Sequence, residues 1–319
     1  MNCKRGKKVI GVSLGDPAGI GPELLLKALP EIKKIKGAEP LVIGDAAVIE
    51  KNACFFGTKA KPNIYSPDVI RNGVFPRSKD SKICGKASFI YVEEAIELWK
   101  KRRIDALVTL PISKKAWHMA GFLYSGHTEL LAERLKAKKY AMIMIADRLR
   151  VLLVTAHIPL KDVSKSITTG LIVDKLITGY DFLVRSGVKK PVIGIASVNP
   201  HGGEGGILGT EEKEAIIPAV AALRKKGIAC KGPFPADAIF KKALAGDMDM
   251  VAAMYHDQAL IPLKTFYFDK LVNCTAGLAM VRTSPGHGTG FDIAYKGKAN
   301  PSSFIEAYKT AVSLTKKLC

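Results

Sequence analysis

Val9-Ile10-Gly11-Val12-Ser13-Leu14-Gly15 runs directly into Asp16-Pro17-Ala18-Gly19-Ile20-Gly21-Pro22-Glu23 and then Leu24-Leu25-Leu26-Lys27-Ala28-Leu29. A short apolar run predicts a strand, the glycines a turn, and Pro22 the first turn of a helix, where its missing N–H is harmless. The same alternation continues outward. Strands are expected at 41–45, 104–110, 140–146, 150–155, 192–198 and 249–254. Helices are expected at 88–102, 127–136, 171–186, 211–226, 236–245 and 301–317. This is the pattern of an α/β fold with a largely parallel sheet. The 319 residues suffice for two domains, or for one large unit with a cleft. The segment 265–300, rich in Gly, Thr, Ser and Asn, reads as a long functional loop before the last helix.

Apolar residues make up 48% and charged residues 24%, as in a globular protein with an ample core. The six cysteines are scattered with no CxxC pair, which argues against a disulfide framework or a thiolate zinc site and fits a reducing compartment. The basic N-terminus is followed by an apolar run too short and too interrupted for a signal core. The most apolar stretch, 140–158, carries Asp147, Arg148 and Arg150 and is not expected to span a membrane. The expected location is the cytoplasm. The net charge of +20 raises the question of nucleic acid, but the lysines are dispersed in pairs near predicted helix ends, without an aromatic platform. The reading is no nucleic-acid partner and a modest attraction for anionic substrates.

The loop after the first strand imitates the GxxxGxG loop of short-chain dehydrogenases, whose backbone cradles a pyrophosphate at a helix N-terminus. Asp16 would set negative charge beside such a phosphate, and Pro22 removes a donor. No tyrosine has a lysine four positions later, so the short-chain reading fails. The alternative, a strand-to-helix turn that simply requires glycines, stays open.

Four of the six histidines sit in polar segments. His127 lies in Ser125-Gly126-His127-Thr128-Glu129. His157, His201 and His256 each follow a predicted strand. Ligands of open α/β sheets bind beyond the carboxyl ends of the strands, so three such imidazoles are candidates for one divalent cation. Separations of 44 and 55 residues form no local motif, and each histidine alone is equally explained as a hydrogen-bonded turn residue.

Taken together, the segments GDPAGIGPE (15–23), GHTE (126–129), TAHIPL (155–160), NPHGGEGG (199–206), GPFPAD (232–237), YHDQALIPLK (255–264), VNCTAGLAMVRTS (272–284) and HGTGFDIAYKGKANP (287–301) resemble the 4-hydroxythreonine-4-phosphate dehydrogenase family of vitamin B6 synthesis. The resemblance implies an α/β fold like isocitrate and isopropylmalate dehydrogenases, with two domains flanking a cleft. One domain, 1–128 with 274–319, would be discontinuous and bind the cofactor. The other, 129–273, would carry dimerisation and the metal and substrate site. The resemblance also implies a homodimer with shared active sites, His157, His201 and His256 as metal ligands, and His127, Thr128, Lys264, Asn273 and Arg282 as substrate-binding residues. Taken one by one, Thr128 reads better as a helix cap, and Lys264 and Arg282 as surface charges. Residues 287–301 resemble the adenine-binding loop of β-decarboxylating dehydrogenases, which implies cofactor contacts at Gly288, Thr289, Asp292 and Asn300. With Lys296 and Lys298 but no arginine in that loop, NAD is preferred and NADP remains possible.

The implied reaction is NAD-dependent oxidation and decarboxylation of 4-phosphooxy-L-threonine to 3-amino-2-oxopropyl phosphate, assisted by Zn, Mg, Co or Mn. The cation would polarise the alcohol oxygen as a Lewis acid. Asp237, Asp257 and Lys264 are candidates for proton transfer, for orienting a ligating histidine or for neutralising the substrate. Sister dehydrogenases of phosphorylated threonate or erythronate, or of an aromatic dihydrodiol carboxylate, fit the same motifs. A phosphate acyltransferase of similar fold is the rival from another class. Leu110 and Tyr295 depart from the expected pattern, standing where a small residue and a glycine are usual.

Overall fold

Strands buried on both faces need helices on both sides, and the first strand–turn–helix unit establishes that arrangement. The computed structural model describes residues 6–317. Its strands are β1 (Lys8–Ser13), β2 (Ala38–Ile43), β3 (Asn63–Tyr65), β4 (Ala106–Thr109), β5 (Ala141–Ala146), β6 (Leu149–Leu153), β7 (Ile193–Ala196), β8 (Cys230–Phe234), β9 (Met250–Ala253), β10 (Val272–Ala276) and β11 (Val281–Pro285). The helices are α1 (Gly21–Ile32), α2 (Ala46–Phe55), α3 (Lys82–Lys100), α4 (Lys114–Met119), α5 (His127–Arg134), α6 (Leu160–Ser166), α7 (Thr169–Arg185), α8 (Ile217–Lys225), α9 (Ala236–Leu244), α10 (His256–Tyr267) and α11 (Ser302–Lys317). The chain divides into two compact units, Met1–Ala137 with Leu278–Cys319, and Lys138–Gly277.

In the first unit the strands lie in the order β3-β2-β1-β4-β11, all parallel. Ile10, Val12 and all of β4 are buried, so these strands are sandwiched between helices. Helix α1 opens with Pro22 and buries Leu24, Leu25, Leu26, Ala28 and Leu29, nearly its whole circumference. Ser81 and Ser113 cap α3 and α4 by accepting from the amides of Cys84 and Ala116, each worth about 1 kcal/mol. The second unit has the order β10-β5-β6-β9-β7-β8. Here β10, β5 and β6 pair antiparallel, whereas β6, β9, β7 and β8 are parallel. Alternation along β6 feeds two cores, Leu152 packing with Ile172, Leu176 and Ile195, and Val151 and Leu153 with Ile239 and Leu263.

Several expectations need correction. The segment 265–300 is not one long loop: it contains the end of α10, then β10 and β11. Its Thr, Ser and Asn side chains look loop-like, but Thr275, Thr283 and Ser284 are buried within strands. The helix expected at 211–226 begins as a π turn, Glu212–Ile216, before α8. Pro218 has no N–H to donate to the preceding turn, which favours the wider opening. The domain junctions drawn at 128/129 and 273/274 also shift. The units part at 137/138 and 277/278, since Arg134 of α5 is bonded to Glu93 of α3 and β10 pairs with β5 along its length. Cys54, Cys84 and Cys230 are free thiols; Cys3, Cys319 and the start of the basic N-terminal cluster lie outside the described residues. Among the described residues no helix is long and apolar enough to cross a membrane.

Candidate functional site

The three histidines that follow strands come to one edge of the second unit's sheet. Strands β6, β9 and β7 are adjacent and parallel, so their carboxyl ends align and release His157, His256 and His201 at the same rim. The ends are tied together through the backbone and one amide side chain. The Thr155 hydroxyl donates to the Met254 carbonyl at 2.6 Å. Buried Gln258 accepts from the Met254 amide and donates to the Ser197 carbonyl, both at 2.7 Å. Nothing in the pattern YHDQ marks Gln258 as this bridge; its role follows from the strand order.

The rings of His157 and His256 stand 5.6 Å apart, centroid to centroid, at 44°. Two imidazoles sharing a tetrahedral cation, with metal–nitrogen bonds near 2.0–2.1 Å, have centroids roughly 5 Å apart. His256 Nδ1 lies 2.6 Å from the Asp257 carboxylate, which leaves Nε2 for a ligand and matches the carboxylate that commonly orients a metal-bound histidine. Both rings, with Asp257, Tyr255, Ala156 and Val163, line a cavity of about 260 Å³. The donor set therefore fits a divalent cation as a two-imidazole half-site. Among the described residues, no cluster of three His, Cys, Asp or Glu groups forms within the one chain.

His201 sits on the same rim in a different kind of structure. His201, Gly202, Gly203, Glu204 and Gly205 all have left-handed backbone angles, His201 at φ 53° and Glu204 at φ 46°. Such conformations cost roughly 1–2 kcal/mol for each non-glycine residue, and they persist where the surroundings dictate them, often at functional positions. Asp237, in the first turn of α9, and Lys264, on α10, are exposed and do not line the His157–His256 cavity. Asn273, on β10, keeps its Oδ1 buried without a hydrogen-bond partner.

The first unit holds the other expected substrate residues. His127 is the first residue of α5 and lies edge-on to Trp117, ring centroids 5.6 Å apart. Burial, and secondarily the charge of Arg282, hold its imidazole pKa well below the usual value, so it is neutral near pH 7. Its Nε2 is buried and unbonded. Arg282 is not the surface charge its sequence context allows. It is buried in β11 and donates to Thr109 Oγ1 from Nε at 3.2 Å and from Nη2 at 2.7 Å. Thr128, in the first turn of α5, is half-buried. An unbonded imidazole nitrogen close to a buried guanidinium suits a phosphate or carboxylate oxygen.

The glycine loop is a turn and not a phosphate cradle. Four of its donors are spent within the fold: Asp16 N to Pro111 O, Gly19 N to Asp16 O, Ile20 N to Thr289 O, and Ala18 N to Asp16 Oδ1. A Cβ on Gly19 would stand 2.8 Å from the Thr289 carbonyl, so the glycine is required by close approach. The segment 287–300 is thereby seated on the loop. Glu23 accepts from the Ala299 amide, Lys27 reaches the carbonyls of Gly297 and Ala299, and Tyr295 donates to the Pro17 carbonyl. Asn300 caps α11 by accepting from Ser302. Gly288 is exposed, and an added Cβ there or at Gly297 would meet nothing within 4 Å. With Asp292 also exposed, this backbone is open to solvent, which leaves room for the backbone contacts an adenosine would make. Beside the segment, the Arg77 guanidinium lies over the rings of Phe55 and Tyr295, 4.7 Å from each centroid, a cation that the sequence pattern did not single out.

Comparison with known proteins follows the same outline. The family model described as pyridoxal phosphate biosynthetic protein PdxA matches residues 36–311. A 4-hydroxythreonine-4-phosphate dehydrogenase of Sulfurihydrogenibium sp. is 42% identical, over 96% of this chain and 98% of its own. A D-threonate 4-phosphate dehydrogenase of Cupriavidus necator is 41% identical, over 96% and 97%. The crystal structure of 4-hydroxythreonine-4-phosphate dehydrogenase from Klebsiella pneumoniae superposes with a TM-score of 0.88 at 36% identity, covering 97% of this chain and all of that one.

Proposed function

Because this chain belongs to the pyridoxal phosphate biosynthetic protein PdxA family, we propose that it is a dehydrogenase of a 4-phosphorylated four-carbon hydroxy acid. The first assignment is 4-phosphooxy-L-threonine, oxidised and decarboxylated to 3-amino-2-oxopropyl phosphate. D-threonate 4-phosphate is the second, since a relative named for it matches almost as well. One observation carries the reading: His157 and His256 meet over a cavity at the rim of adjacent parallel strands.

His157 and His256 hold a divalent cation, and the third ligand, His201, is assigned to a second copy of the chain in a homodimer. That assignment is in keeping with a half-site in which, among the described residues, His157 and His256 meet within one chain. The cation supplies Lewis-acid charge stabilisation at the substrate hydroxyl, and NAD supplies the hydride acceptor. Asp257 fixes the His256 ring so that Nε2 faces the cavity. Arg282 neutralises an anionic group of the substrate, and the neutral His127 ring donates to it through Nε2 in the tautomer that carries its proton there. Thr128 and Asn273 add hydrogen bonds, and Lys264 adds positive charge. Gly288 and Thr289 present backbone to the adenosine, and the Asp292 carboxylate accepts from its ribose, which favours NAD over a cofactor bearing a 2′-phosphate.

The test is NAD reduction over a panel containing both phosphorylated substrates, with and without chelator. Turnover on one of them, lost with chelator and restored by Zn, Co, Mn or Mg, is expected. Full activity after exhaustive metal removal refutes the metal assignment; inertness toward every phosphorylated hydroxy acid refutes the substrate class.

A further inference from the structure

The loop that bears His201 is held by a carboxylate with no place in the family motifs described above. Glu212, 2% exposed, lies in the π turn before α8, and such turns recur at functional positions. Its Oε1 accepts from the amides of Val198 and Asn199 at 2.8 and 2.9 Å, and its Oε2 accepts from Asn199 Nδ2 at 2.8 Å. A Cβ on Gly203 would lie 2.7 Å from Oε2, so the left-handed turn is wrapped directly against this group. Glu211, beside it, accepts from the same Asn199 amide at 2.7 Å and from the hydroxyl of Ser164 on α6, the helix that leaves the His157 segment. The loop is therefore fastened at its base by two carboxylates, and one of these reaches across to the segment carrying another candidate ligand.

We propose that Glu212 is a positioning residue: its carboxylate imposes the left-handed turn at 201–205 and so presets His201 for a cation before any cation binds. The proposal rests on the metal reading above. Left-handed angles at His201 and Glu204 are disfavoured for L-residues and need an external cause. Glu212 supplies it with three charge-assisted hydrogen bonds in a water-poor setting. A glutamine is nearly the same size but has one acceptor oxygen, so its amide must face either the two backbone donors or the Asn199 donor. One end of the loop is then released without removing any bulk.

Glu212→Gln is to be compared with wild type and His201→Ala, each freed of metal. Amide hydrogen exchange over 199–209 and Co²⁺ binding by visible absorption are both measured. In folded, metal-free Glu212→Gln, exchange across that loop is expected to rise at least tenfold and Co²⁺ affinity to fall about 10- to 100-fold, the range seen when groups that orient ligands are lost. Unchanged exchange overturns the clamp. Faster exchange with undiminished Co²⁺ affinity, while His201→Ala weakens binding, overturns the presetting of His201. Wild-type protein that takes up no Co²⁺ overturns the metal reading itself, and exchange still judges the clamp. Should Glu212→Gln not fold, Asn199→Ser removes the shared amide, keeps both backbone bonds to Glu212, and is read by the same two measurements.

Discussion

Replacing Asp16 with asparagine should stabilise the first unit by an amount that grows as pH rises from about 4 to about 7 and then levels off. Asp16 is fully buried; one oxygen accepts from Ala18 N and the other has no hydrogen-bond partner. Burial first, opposed by the Ala18 bond and reinforced by the charge of Asp80, pushes its pKa from the ordinary 3.8 up to about 7. The folded state thus binds a proton more tightly than the unfolded chain. Stability from this group is fully present below pH 3.8 and is lost as pH rises toward 7. At 1.36 kcal/mol for each pH unit between the two values, the loss approaches 4 kcal/mol, to order of magnitude, by pH 8. Asparagine mimics the protonated acid and keeps an oxygen for Ala18 N. Asp16→Asn should match wild type near pH 4 and exceed it by up to that amount at pH 8. Urea unfolding followed by tryptophan fluorescence is the assay, since both tryptophans, Trp99 and Trp117, belong to this unit. A stability difference between the two proteins that does not change from pH 4 to pH 8 would show that the Asp16 proton is not linked to folding.

Three further outcomes are expected. Gln258→Leu leaves the Met254 amide and the Ser197 carbonyl buried without a partner, at about 1–3 kcal/mol each; denaturant midpoints should fall accordingly, and an unchanged midpoint removes the bridge. Arg282→Ala should raise KM for the phosphorylated substrate by one to two orders of magnitude, in line with roughly 1.5–3 kcal/mol for bonds to a charged group, while KM for NAD stays within a factor of two; equal rises in both argue against a substrate contact. Gly19→Ala forces a Cβ to 2.8 Å from the Thr289 carbonyl and should raise KM for NAD more than KM for substrate, which steady-state kinetics with each ligand varied in turn will decide.

The first strand, its helix and most later elements were legible because apolar runs bounded by glycine or proline leave few alternatives. That His157, His201 and His256 each follow a strand was equally plain. That their strands are neighbours was not, because β6, β9 and β7 lie far apart in sequence and only tertiary pairing makes them adjacent. Helix α10 is obscured by Pro262 within it, and β10 and β11 by buried Thr and Ser residues of loop-like character. Gln258 and Glu212 were invisible for a shared reason: polar residues in helical turns look solvated until packing encloses them. Arg282 was ambiguous for the same reason and resolved only through its place in β11. Arg77 reaches the 287–300 segment from more than two hundred positions away, a distance that no spacing rule bridges.

The discontinuous first unit sets an order of events during synthesis. Strand β11 and helix α11, which bury Phe304, Tyr308 and Ala311, complete the layer begun by β1, β4 and α1, yet they leave the ribosome only after residues 138–277 have been made. At 5–20 residues per second that interval is on the order of 7–30 s. Through it the nascent N-terminal segment waits with one edge and one face uncovered, while the contiguous second unit, though translated later, has all its strands to hand first. Chaperone demand in the cell should therefore track the N-terminal segment of the first unit, up to Ala137.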